Sequence, residues 1–373
     1  MPRGRFREPR GQALVALCLL RHYVAGQAVP DLPTSGSPVV SPGNVLANVG
    51  ELAATNALEP VGVAPGGRTP SRSWWRETAS GVVPVLPALV VLGTFVYGPA
   101  VLVVAMSFFH WNLAGFSQSQ FAGLSHYRAL LNPVSGFVPS LGVTAYYVGV
   151  MVPATVVMAL LLAMLLRDST KRVRGLSFFR AVVFLPYVTP SIATAVIWVF
   201  IFDPQFGLAN AALRLVHLPA VGWLSSTHWA LPAVMIDSMW KQVGFSVVLF
   251  LAGLSRIPTE LMEAARLDGV GPTAIFRRIV LPYLSPVTLA VVMLTTIASM
   301  QTFGSIYAMT GGQGGGGGGP IGSTTTTAVY LYKVAFVDFH YGFGATVAVA
   351  LFVLILGLIL VQRRVGERRT FYR

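Results

Sequence analysis

Charge is scarce in this chain. Charged side chains make up 10% of its 373 residues, and only 13 of them are acidic. A soluble globular domain carries about 25%, so a water-soluble fold is excluded. Cys18 is the single cysteine, which excludes an intramolecular disulfide and a cysteine-based metal cluster. The six histidines are scattered, and none stands in an HExxH arrangement. Lysine occurs only at positions 171, 241 and 333 and never follows a glycine. The Gly-Lys-Ser/Thr ending of a phosphate-binding loop is therefore missing, and the chain has no ATPase motif of its own. No catalytic residue, metal ligand or bound cofactor is expected.

Long apolar runs are what the chain has instead. Hydrophobic residues account for 54%, and six runs reach the roughly twenty residues that a bilayer span needs. They cover Val82–Phe108, Val138–Leu166, Phe179–Phe202, Ala230–Leu254, Tyr283–Phe303 and Phe343–Val361. The fold class expected is an all-α integral membrane protein with about six transmembrane helices. The net charge of +13 does not point to nucleic acid, because the basic residues gather in alternate connections. Arg68, Arg72 and Arg76 precede the first run, and Arg167, Lys171, Arg172 and Arg174 follow the second. Arg256, Arg266, Arg277 and Arg278 follow the fourth, and Arg363, Arg364, Arg368, Arg369 and Arg373 end the chain. The intervening connections carry single basic residues: Arg128, Arg214 and Lys333. This alternation puts both termini and the 255–282 connection on the cytoplasmic side.

Residues 1–78 are rich in Pro, Gly, Ser, Ala and Val and show no sustained helical period, which reads as a disordered tail. The run Ala13–Leu20 behind Arg3, Arg5, Arg7 and Arg10 resembles the start of a signal peptide, but eight residues cannot span a bilayer. An over-long translation start or unstructured arm is the preferred reading. The transmembrane domain is placed at 79–365 and a basic cytoplasmic tail at 366–373. Prolines within the runs, such as Pro153, Pro186, Pro190 and Pro232, kink helices where neighbours re-satisfy the freed carbonyls. The Gly314–Gly319 run reads as a mobile loop on the outer face.

The connection 255–282 holds the most specific signal. Pro258 suits the first turn of a helix, and Glu260 and Glu263 fall near its positive end. Gly269 suits the left-handed turn that ends a helix, Pro272 opens a second one, and Ile275 and Ile279 share its face. Pro282 then stops that helix before the next span. Ala264 and Ala265 permit close approach by a partner. A helix lying on the bilayer suits this mixture of acids and bases less well than a protein groove does.

The spacing Glu263-Ala264-Ala265, Gly269, then Ile279-x-Leu281-Pro282 resembles the cytoplasmic EAA loop of ABC importer permeases. The likeness covers about residues 80–365. Phe121-x-Gly123-Leu124-x-x-Tyr127 resembles an outer-face signature of permeases of the maltose-transport type, a sugar-transport family. Phe178-Phe179-Arg180 through Leu185-Pro186, Phe202-Asp203 through Asn210, and Leu251-Ala252-Gly253-Leu254 are similar to it as well. The segment Thr310-Gly311-Gly312 to Pro320 looks like the family's Thr-Gly-Gly-Pro turn, expanded by glycines. The resemblance implies the type I permease fold and a subunit of a bacterial inner-membrane (cell membrane) importer. It implies coupling to ATPases through Glu263, Ala264, Ala265, Gly269, Ile279, Leu281 and Pro282. It also implies four kinds of surroundings: a second homologous permease, two ABC ATPase subunits that use the ATP, an extracytoplasmic solute-binding protein, and the lipid bilayer. A carbohydrate is the implied cargo, with glycerol phosphate or another small polar solute as the alternative.

Asp237 and Lys241 stand one turn apart in the fourth run, beside Trp240. Charges within a bilayer usually face a bundle interior or aqueous cavity, so these three are candidates for a solute path. An i,i+4 pair that merely neutralises itself fits equally well. Gln301 and Tyr307 are further polar candidates. An ion-driven secondary transporter would want several buried acids and inverted repeats, and a membrane enzyme would want a nucleophile–base set. Neither pattern is present.

Overall fold

A computed structural model describes residues 84–111, 119–167, 175–311 and 317–367. The expected tail at 1–78, the last six residues and Gly314–Gly316 of the glycine run lie outside the described residues. Among the described residues four helices are long and apolar enough to cross a membrane: Leu86–Met106, Phe137–Leu165, Ala230–Leu254 and Tyr341–Glu367. We number them spans one, two, four and six.

Two of the expected spans are not continuous helices. Span three is Leu176–Val188 followed by Ser191–Ile201, with a bend of 100° between the halves. Pro190 explains the break: it has no N–H to offer the helix and pushes the residue before it into extended backbone. Thr189 accordingly sits at φ −71°, ψ 143°. Span five is the helix Pro272–Tyr283 followed by Ser285–Met300, bent by 66°. The expectation that Pro282 stops its helix is corrected by two residues. A π turn over Phe276–Val280 absorbs the missing proline N–H, the helix runs on through Tyr283, and the break falls at Leu284.

Span four is the centre of the bundle, packing against spans two, three and five. The main core joins Ala159 and Ala163 of span two, Val243, Val247, Phe250 and Leu254 of span four, and Leu284 and Val291 around span five. Ile257, Ile275 and Val280 of the 255–282 connection belong to the same cluster. Small residues let backbones approach, as expected where packing rather than water exclusion drives association. Span one buries no residue, and its apolar side chains face outward.

The end of the bundle away from the 255–282 connection is built from short pieces. Asn210, fully buried in the helix Leu208–Leu215, donates to the Pro204 and Val221 carbonyls. Its side-chain oxygen accepts from Val221 N–H and Trp223 Nε1, both at 3.0 Å. Asp203 caps the preceding turn by accepting from the Gln205 and Phe206 amides at 2.8 Å, and those bonds hold its carboxyl below the usual carboxylate range. A further apolar helix, Thr327–Val337, follows the glycine run. Thr310 and Thr324 meet at 2.9 Å, and both are buried. The described glycines Gly317, Gly318 and Gly319 take positive φ against Tyr307, Thr325 and Thr324. This part of the expected loop is anchored into the core.

Candidate functional site

The loop carrying Glu263 is a helix, a corner and a second helix. The first helix, Thr259–Leu267, has Pro258 at its N-cap and Glu260 in its first turn. At its end the Val270 amide donates to the Ala265 carbonyl at 3.0 Å, and the Gly269 amide to the Arg266 carbonyl at 3.1 Å. These are the two bonds of a Schellman motif, which needs a left-handed residue at the position of Gly269. Its φ is +74°, and a Cβ there would meet nothing within 4 Å. Backbone conformation, not space, is what calls for glycine. Pro272 then opens the next helix at N1.

The two faces of this loop differ sharply. Met262, Ala265, Val270, Phe276 and Ile279 pack onto the main core beside buried Ile257, Ile275 and Val280. The other face shows Glu263, Ala264, Arg266, Asp268 and Gly269 to the surroundings, together with Leu267 at 89% exposure. Glu263 makes no ion pair among the described residues. Leu281 is exposed and Pro282 half-buried. The corner thus pairs a core-anchored face with a face on which an exposed leucine stands among charged residues.

A second site is an open pocket on the side of the bundle. A cavity of about 290 Å³ is lined by Tyr187 and Ser191 on either side of the span-three break, by Ser238, Lys241 and Gln242 of span four, and by Gln301, Thr302 and Ser305. It sits where span three bends and where the helix Ser285–Met300 gives way, over 301–303, to the helix Gly304–Thr310. Hydroxyls and amides share the lining about equally with apolar surface, which includes Ala298 and the Tyr187 and Phe303 rings. The Lys241 ammonium donates to the Thr189 carbonyl at 3.0 Å, to Ser191 Oγ at 2.9 Å and to Thr194 Oγ1 at 3.4 Å.

Comparison with known proteins decides what kind of molecule this is. Residues 155–370 match the family described as the binding-protein-dependent transport system inner membrane component. This chain belongs to that family. The permease is 31% identical to the trehalose/maltose transport system permease protein MalF of Thermococcus litoralis, over 80% of its own length and 97% of the relative's. It is 32% identical to the sn-glycerol-3-phosphate transport system permease protein UgpA of Agrobacterium fabrum, over 77% and 94%. In fold it is similar to a chain of a bacterial alginate ABC transporter solved with its alginate-bound periplasmic protein. The TM-score there is 0.69 at 20% identity, covering 81% of this chain and 99% of that one. The permease is thus an all-α inner-membrane component of an ABC importer.

Of the residues picked out for a solute path, the cavity brings together Lys241 and Gln301. Asp237 is fully buried outside the lining, and neither carboxylate oxygen has a hydrogen-bond partner. Asp237 and Lys241 make no ion pair. Trp240 is 45% exposed and meets Trp198 edge-on at 5.9 Å. Tyr307 lies outside the lining, stacked on Phe303 at 5.2 Å. Sequence reading missed Ser191, Ser238, Gln242, Thr302 and Ser305. Their only signal was polar character inside apolar runs, which many packed helices share.

Proposed function

We propose that this permease carries a carbohydrate across a bacterial inner membrane. An extracytoplasmic binding protein delivers the solute, and two separate ABC ATPase subunits drive the cycle by docking on the 258–282 loop. This chain binds no cofactor, and its partners use the ATP. A second homologous permease completes the path against the exposed apolar faces of the spans. Both termini and the docking loop face the cytoplasm, in keeping with the alternation of basic connections.

The observation that carries the coupling role is the shared core. Ile257, Ile275 and Val280 of the loop pack in one cluster with Phe250, Leu254 and Leu284 of spans four and five. A close-packed interior transmits displacement rather than absorbing it. A push on Glu263, Ala264 and Leu267 therefore moves spans four and five. Through span four it reaches Ser238, Lys241 and Gln242 at the cavity.

The cargo reading rests on the cavity's lining. Hydroxyl and amide groups beside aromatic rings suit a polyhydroxylated, uncharged solute. A phosphorylated polyol would want a free cation, and the Lys241 ammonium spends its donors on Thr189, Ser191 and Thr194. Asp237, Trp240 and Tyr307 stand outside the lining and take a supporting place beside the path in this reading. The decisive experiment reconstitutes the permease pair with the ATPases and binding protein in vesicles. ATP-dependent uptake of a labelled disaccharide and of glycerol phosphate is then compared. Disaccharide uptake is expected, and uptake of glycerol phosphate alone would overturn the cargo assignment.

A further inference from the structure

The break in span three leaves two problems that one side chain solves. The half Leu176–Val188 ends with carbonyls that have no continuing helix to accept from. The half Ser191–Ile201 leaves at 100°; the Thr189 amide and hydroxyl turn back onto the Pro186 carbonyl, but among the described residues no backbone hydrogen bond joins the two halves. Thr189, the corner residue, directs its carbonyl at Lys241 Nζ. Ser191 Oγ and Thr194 Oγ1, from the first turn of the second half, take the same ammonium. One cation of span four thus holds both halves of span three, and all three of its protons are engaged. A cation at the carbonyl end of a helix is also favoured by the helix dipole.

The first half is already seated on span four. A Cβ at Gly244 would run into the Val183 carbonyl, and Tyr187 stacks on Phe245 at 4.8 Å and 16°. The second half meets span four farther along, where Trp198 touches Trp240. Between these two seats Lys241 is the polar group of span four that fastens the bend. Tyr187 and Ser191 flank the break and both line the cavity, so the angle sets the cavity's width.

We propose that Lys241 is the pin that fixes the bend of span three, a positioning residue and not a contact for the solute. The pin follows from this geometry, whereas its consequence for transport rests on the cavity being the solute path. Three acceptors from two helical halves around one ammonium fix its position and theirs together. Loss of the charge frees the corner.

The test uses the assembled transporter, with Cys18 replaced by serine and spin labels at Phe178 and Phe200, the outer ends of the two halves. Electron–electron resonance then reads the distance across the bend. Lys241→Met, similar in length but without donors, is expected to widen and shift the distribution. Lys241→Arg is expected to restore it in large part. In uptake assays Lys241→Met should lower the maximal rate, leave KM unchanged and raise ATP hydrolysis in the absence of binding protein. A native distance distribution with a raised KM alone would show that Lys241 acts on the solute and would overturn the proposal. If Lys241→Met fails to insert, Ser191→Ala removes one acceptor and should widen the same distribution to a smaller degree. A native distribution in that variant also overturns it. A native complex that moves no carbohydrate would sink the cargo reading and leave the label distances to decide the pin.

Discussion

Gly244 of span four lies against the Val183 carbonyl of span three, so close that a Cβ at position 244 would also come within 3.1 Å of Phe184 Cα. The contact is backbone on backbone, so no rotamer change can relieve an added methyl group. Gly244→Ala should cost about 1–3 kcal/mol through overpacking, and Gly244→Val more. The expected outcome is a lower unfolding midpoint of the purified complex in detergent, with the loop surface unaltered. Retention of the ATPases by surviving complex is the control.

Gly269 separates backbone conformation from docking. Gly269→Val forces a β-branched residue to φ +74°, at about 1–2 kcal/mol for the left-handed region, and tilts the two loop helices. Uptake should fall and hydrolysis should become poorly coupled, whereas Gly269→Asn, which tolerates this conformation, should keep most activity. Uptake and binding-protein-stimulated hydrolysis in vesicles check both variants.

Glu263→Lys and Leu267→Ser change the exposed face without touching the core-facing one. Both should insert and pair normally but co-purify with less ATPase and lose uptake. Native uptake in both would remove the basis for placing the docking site on this face.

Asn210 satisfies four partners in the lobe between spans three and four. Asn210→Leu keeps the bulk and leaves those groups without a partner, at about 1–3 kcal/mol for each that stays buried. Faster amide exchange over residues 203–223 is expected, with binding-protein stimulation weakened and the exchange of the 258–282 loop unchanged.

His126 predicts a pH dependence. Burial, the neighbouring His110 and, in opposition, a backbone hydrogen bond at Phe109 leave its pKa below the ordinary value of 6.5. The folded state therefore prefers neutral His126 more than the unfolded state does. The stability this contributes is complete above 6.5 and is lost as pH falls through that value toward the folded one. Exchange protection over residues 120–130 should drop on acidification, and His110→Gln should blunt the drop. An unchanged profile across that range would contradict the prediction.

Orientation is checked with a membrane-impermeant maleimide on intact cells, in a background with Cys18 replaced. Cysteine at Ile321, 98% exposed, should label from outside. Cysteine at Thr273, in the docking loop, should label only after permeabilisation. Labelling of position 273 in intact cells would reverse the topology and remove the coupling role.

What the sequence determined by itself is what short-range physics controls. Apolar length set the spans, and alternating arginines set their expected sides. Gly269 between Leu267 and Pro272 dictated a helix ending in a left-handed turn, because a helix end and a proline N1 depend only on adjacent residues. Pro190 was legible as a kink, but its 100° was not, since the angle depends on what span four offers to each half. Lys241 shows the same division. Its charge stood out in an apolar run, yet its partners lie 52, 50 and 47 residues away, while the acid one turn before it makes no ion pair with it. Ser and Thr hydroxyls can bond a carbonyl of their own helix, as Thr296 does with Val292, but an ammonium or a side-chain amide needs further partners on other helices. Which helices those are, and hence which of Ser191, Ser238, Gln242, Gln301, Thr302 and Ser305 share one cavity, is decided only when the helices pack.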